Sequence, residues 1–285
     1  MLQVARRGAL SLGEALPLVR AFAHSRIREG AGLDRESRPD LYYTIFALAT
    51  LQALDAPLPT DELRRYLDSF GDGEGLDFVH LGALARCLAV AGPAESARKE
   101  AILRQLESYR SKDGGYEGER NAAHGTAYGG FVAYGAYQDL TFPLPEPLRL
   151  VQSLKFLETP DGAWGNAPGL RFGSTNATAA AITLLHQMEI PVDAPAAHWL
   201  LQQLHPEGGF LAMPRAPIPD LLSTATSLHA LACMETPLTT AARERCLDFL
   251  DTLWNAEGGF HGHWADDHLD VEYTFYGLLA LGHLS

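Results

Sequence analysis

Positive charge is short in this chain relative to negative. Its 22 lysines and arginines face 35 acids, a formal net charge of −13 at pH 7. That sign excludes a protein that wraps nucleic acid or holds an anionic membrane by overall charge, while leaving room for a local basic pocket. Cysteine is sparser still. Cys87, Cys233 and Cys246 stand far apart among helix-forming apolar residues, with no CxxC pair and no zinc-finger spacing. They read as buried thiols in a reducing compartment, so the cytoplasm is the expected location. No uninterrupted apolar run is long enough to span a bilayer. The opening MLQVARRGALSLGEALPLVR is interrupted by Glu14 and other polar residues, so no secretory leader is expected. With 47% hydrophobic and 20% charged residues over 285 positions, the chain can bury a substantial core.

What the chain does have is a recurring punctuation mark. KDGGYEG, PDGAWGN, PEGGFLA and AEGGFHG each place an acid, then glycine, then an aromatic three residues after the acid: Tyr116, Trp164, Phe210 and Phe260. The acids fall at 113, 161, 207 and 257, a period of 46 to 50 residues that marks a repeat architecture. An amphipathic helix precedes each mark, and a helix poor in charge follows it after a loop. Two worn repeats precede these, pairing EALPLVRAFAHSR with DLYYTIFALATLQAL and TDELRRYLDSF with FVHLGALARCLAVAG. Six helix pairs result, with amphipathic helices outside and apolar ones inside. The last helix is too apolar to cap an open solenoid, so the expectation over residues 1–285 is a closed all-α toroid with six inner and six outer helices.

Four inner helices align on Thr44, Thr178, Thr224 and Thr274, with Asp40, Ser174, Asp220 and Asp270 four residues earlier. Aspartate and serine there read as N-caps for the unpaired first-turn amides. Glu272 differs, because its counterparts are Tyr42, Asn176 and Leu222 and the repeat requires no acid there. It is either a first-turn carboxylate favoured by the helix dipole or a proton donor whose pKa an apolar pocket raises.

Arg38, Arg120, Arg171 and Arg215 precede Thr44, Thr126, Thr178 and Thr224 by six to nine residues. Arginines gathered beside helix N-termini suit a diphosphate; the alternative is salt bridging to surface acids. His124, at the start of the third inner helix, is a further candidate for that site or for a bond to a backbone carbonyl. HGHWADDHLD is dense in metal-ligand types but reads as a solvated loop. Aromatic residues gather where a cavity is expected, among them Tyr42, Tyr43, Tyr128, Phe131 and Tyr276, and inward-facing ones would stabilise a carbocation.

The four marks and the helix start DVEYTFYGLLAL resemble those of the protein prenyltransferase β subunits and of squalene–hopene and other terpene cyclases. The resemblance is strongest from Ala97 onward. It implies an α6/α6 toroid whose aromatic-lined cavity holds an isoprenoid or its diphosphate. The residues it points to are Arg120, His124, Arg171 and Arg215 for the diphosphate, with transfer or cyclisation on a small molecule as the activity. In the prenyltransferases an aspartate, a cysteine and a histidine hold zinc. The matching positions here are Asp220, Leu222 and Tyr273, and leucine cannot ligate. The resemblance thus implies no certain cofactor, although a divalent Mg or Zn ion belongs to its repertoire. Those β subunits work with a partner subunit, so a partner chain or a homo-oligomer is consistent with it. Cyclases that begin by protonating an alkene use D-x-D-D-T; DVEYT matches as Asp270, Glu272, Tyr273 and Thr274, with Glu272 as the acid. A non-catalytic toroid that binds a lipid or a protein is the remaining alternative.

Overall fold

The computed structural model describes residues 1–285, and 13 α-helices organise it. α1 (Leu2–Leu10) stands apart from six pairs. The outer members are α2 (Leu16–Ser25), α4 (Thr60–Asp68), α6 (Ser96–Glu107), α8 (Pro147–Lys155), α10 (Ala194–Gln202) and α12 (Thr240–Leu253). The inner members are α3 (Leu41–Ala53), α5 (Phe78–Ala91), α7 (Ala127–Leu140), α9 (Thr175–Gln187), α11 (Leu221–Cys233) and α13 (Val271–Leu284). Each inner helix packs on the next, and α13 returns to α3, so the inner cylinder is closed. The only sheet is a two-residue hairpin pairing Ile27–Arg28 with Ala31–Gly32. No helix is long and apolar enough to cross a membrane.

The marks explain how the ring is built. In each, the first glycine after the acid has a left-handed φ: Gly114 +97°, Gly162 +88°, Gly208 +93° and Gly258 +97°. An L side chain is strained there, and space is lacking as well. A Cβ on Gly208 would meet the Arg245 carbonyl oxygen of α12 at 1.9 Å, and one on Gly258 would meet the Leu18 carbonyl oxygen of α2 at 2.2 Å. Each mark therefore seats on the following outer helix, and the last seats on the first.

In two of the marks the aromatic is fixed by the repeated threonine. Thr178 accepts a hydrogen bond from the Trp164 amide at 3.0 Å, and Thr224 one from the Phe210 amide at 2.9 Å. All four aligned threonines are fully buried. In the third repeat Thr126 is not their equivalent. It is the N-cap of α7, accepting from the Gly129 amide, and Gly130 takes the threonine position. Arg120 therefore stands in a different register from the other three arginines.

α1 has no counterpart in the repeat. It lies along the C-terminal half of α13, where Gly8 and Gly282 let the two backbones meet; a Cβ on Gly282 would come within 1.8 Å of the Val4 carbonyl oxygen. Arg6 donates to the Gln52 carbonyl at the end of α3. This helix crosses the end of the cylinder opposite the inner-helix N-termini.

Candidate active site

A cavity of about 550 Å³ occupies the cylinder, within the usual span of about 300–1,000 Å³ for small-molecule sites. Its upper wall comes from the first turns of the inner helices, including Tyr42, Tyr43, His80, Tyr128, Asn176 and Leu222. Deeper lie Phe131, Ala179, Thr183, Thr226 and Tyr276, and Met1 and His229 close the far end. All five aromatic residues expected to line the cavity are on its wall. The wall contains no lysine or arginine.

Asp40, Asp220 and Asp270 are N-caps, accepting from the amides of Tyr43, Ser223 and Tyr273. Ser174 occupies the cap position of α9 without a cap bond, and its hydroxyl is buried with no partner. Asp270 has a second task. Its fully buried carboxylate takes Nε of Arg35 at 2.7 Å, and Arg35 also pairs with Asp266 at 3.0 Å. The Arg35 guanidinium lies over the Tyr273 ring, 5.3 Å from its centroid, and Tyr273 is not on the cavity wall.

Glu272 sits on the neighbouring face of α13. Its Oε1 accepts a 2.6 Å hydrogen bond from the Tyr42 hydroxyl of α3, while Oε2 has no protein partner and is not sealed in. Burial pushes its pKa up to about 7; the Tyr42 hydroxyl pulls the other way, and Asp270 adds to the rise. Desolvation also raises the phenols around it, Tyr128 to about 12 and Tyr42 and Tyr276 further. Glu272 is not itself on the wall, but the tyrosine that holds it is. The arrangement can keep a carboxylic acid protonated near neutral pH beside an aromatic chamber.

Sequence reasoning missed two histidine sites. His80, in the first turn of α5, bridges Asp40 at 3.2 Å and Asp77 at 2.9 Å. The Asp40 and Asp77 bonds raise its pKa to about 9 against the effect of burial. Asp40 is held below the usual carboxylate range; burial opposes its ionisation, but His80 and the α3 amides outweigh it. The signal was the N-cap Asp77 with a histidine three residues on, in a repeat without a clear mark. His229, at the far end, has Nδ1 3.1 Å from Nε2 of His283. Burial lowers their pKa values to about 3 and about 4, so both are neutral at pH 7.

Arg120, His124, Arg171 and Arg215 are exposed and none reaches the cavity wall. Arg120 lies over the Tyr109 ring at 4.9 Å, and His124 is 3.2 Å from Asp113. Arg38 pairs with Asp34 and Glu36. The residues matching a zinc site do not fit the ion. Asp220 is engaged by the amide and hydroxyl of Ser223, Leu222 offers no donor, and no group of three His, Cys, Asp or Glu side chains is arranged to hold a metal ion. His261, His263 and His268 likewise form no ligand cluster with the acids of their loop.

Residues 177–284 match the family model of the prenyltransferase alpha-alpha toroid domain. No curated protein matches the sequence. Solved structures share the whole fold. The type II terpene cyclase MstE from Scytonema, in complex with geranylgeranyl dihydroxybenzoate, superposes with a TM-score of 0.63 at 17% identity, covering 97% of each chain. A Candida albicans protein geranylgeranyltransferase-I complexed with GGPP gives 0.70 at 14% identity, over 94% of this chain and 90% of that one. A protein from Actinoplanes gives 0.59 at 15% identity, over 100% and 98%. The chain is an α/α toroid, the fold it shares with these solved structures.

Proposed function

We infer that the toroid cyclises an isoprenoid chain by protonating one of its alkenes, with Glu272 as the acid. The observation that carries this reading is the Tyr42–Glu272 pair, a carboxylic acid with a pKa of about 7 at the edge of an aromatic cavity. Protonation places a cation on the chain inside the cylinder, where the ring faces of Tyr43, Tyr128, Phe131 and Tyr276 stabilise it by about 1–2 kcal/mol each once water is excluded. Tyr42 keeps a hydrogen bond on the carboxylate that remains, which lowers the cost of losing the proton. Asp270 and Arg35 hold the start of α13 and so position Glu272. The wall contains no lysine or arginine, and its one imidazolium, His80, is already held by Asp40 and Asp77, which favours this chemistry over ionisation of a diphosphate, whose leaving group needs cations. The cyclase and transferase that share the fold carry geranylgeranyl groups in their complexes, which supports an isoprenoid as the cargo here.

Glu272→Gln tests the assignment. Glutamine can still accept from Tyr42 but has no acidic proton, so turnover of a geranylgeranyl arene is expected to fall at least about 1,000-fold while binding changes little. Turnover within tenfold of wild type excludes Glu272 as the donor.

A further inference from the structure

A cation raised beside Glu272 has to be discharged, and few side chains on the chamber wall can take a proton from it. The four wall tyrosines, Tyr42, Tyr43, Tyr128 and Tyr276, hold their own protons, because burial raises each phenol. Asp40 is taken by the Tyr43 amide and by His80, and His80 is already an imidazolium between Asp40 and Asp77. His229 is the remaining titratable side chain on the wall, and burial keeps it neutral. It stands seven residues, about 10 Å, along α11 from Leu222 in the first turn. In a chain laid along the cylinder, each ring closure moves the cation one alkene further from Glu272 and toward this end. Nδ1 of His229 lies 3.1 Å from Nε2 of His283 on α13. His283 in turn lines a separate pocket of about 500 Å³, beside the exposed Ala232, Glu235 and Ser285. The bond therefore links the chamber to the protein surface. The groups that act on the pair are the Met1 amine, Arg7 and His186, with no acid among them, so a proton gained there is not retained.

We propose that His229 is the base that ends the cyclisation, and that His283 fixes its tautomer and carries the proton out to the surface pocket. This rests on the cyclase reading of the chamber. With His283 Nε2 accepting from His229 Nδ1–H, the bare nitrogen of His229 is Nε2. The C–H bond beside the cationic carbon breaks, its electron pair becomes the new C=C bond, and the proton goes to His229 Nε2. The Nδ1 proton of His229 then moves to His283 Nε2, and the Nδ1 proton of His283 leaves to water in the surface pocket. Exchange with water restores the starting tautomers once the product has left. A C–H bond beside a carbocation is a far stronger acid than an imidazolium, so a weakly basic imidazole is sufficient. The same weakness keeps His229 unprotonated at the pH where Glu272 still holds its proton.

The test compares the products that the full chain and its His229→Phe variant form from a geranylgeranyl arene. Per substrate consumed, the variant should yield at least about tenfold less of the wild-type alkene, with other alkene isomers or alcohols from water capture in its place. His283→Phe should shift the products in the same direction. Nitrogen-15 NMR of the imidazoles gives a second readout that needs neither turnover nor a folded variant. In the wild-type chain His229 should carry its proton on Nδ1 and leave Nε2 bare, and His283→Phe should remove that preference. A merely structural pair would leave the product ratio unmoved. An active wild type whose product ratio is unchanged by His229→Phe overturns this proposal alone, as does a proton found on His229 Nε2. A wild-type chain that makes no cyclic product overturns the cyclase reading, and the proposal falls with it.

Discussion

Glu272 and Tyr42 make a prediction that depends on the direction of a titration. A catalytic acid acts in its protonated form, and burial holds this one near pH 7. Turnover should therefore be full below that pH and fall as pH rises through it. The Tyr42 hydroxyl favours the ionised form, so Tyr42→Phe is expected to move the falling limb to higher pH while reducing the rate by about 10- to 100-fold. A pH–rate profile checks this, and a limb that stays in place would separate the two residues functionally. Glu272 was visible in the sequence because it breaks the repeat. Its partner was visible only as an aromatic, since spacing along the chain does not say which hydroxyl on α3 faces α13. His80 was hidden for a related reason: α5 lacks both the threonine and a clear mark, so no pattern drew attention to its first turn.

At the scale of the element, period and chemistry were legible together. Gly and aromatic recur because one left-handed turn seats on the next outer helix, and in the Trp164 and Phe210 marks one buried threonine hydroxyl satisfies the aromatic's amide. Thr224→Val removes that acceptor and leaves the Phe210 amide buried without a partner. A loss of about 1–3 kcal/mol in denaturant-derived stability is expected. No change would mean that the threonine serves the repeat in some other way. The arginines show where element-level reading ended. Their recurrence correctly placed them in loops ahead of the inner helices, but a loop residue can turn inward or outward with the same spacing. Arg171 and Arg215 turn outward. Arg35, which the repeat did not single out, turns inward to Asp270.

At the scale of the molecule, ring closure followed from the apolar last helix, which needs a neighbour on both sides. α1 did not follow, because nine residues with no repeat counterpart carry too little periodic signal. Its seat on α13 depends on Gly8 and Gly282. Gly282→Val forces the backbones apart and is expected to cost about 1–3 kcal/mol, with faster amide exchange across residues 2–10. Protection equal to wild type would show that α1 is held by other contacts. The same helix brings Met1 to the far end of the cavity, so the chamber is closed by an element outside the repeat.

The central claim is that the chamber starts its chemistry with a proton from Glu272. The direct measurement is mass spectrometry of the product formed from a geranylgeranyl arene in D₂O. Addition of a deuteron to the alkene and loss of a carbon-bound proton at the end predict a cyclic product one mass unit heavier than the substrate, formed without pyrophosphate and absent with Glu272→Gln. A product carrying no deuterium, or an equal yield from the glutamine variant, would contradict the account.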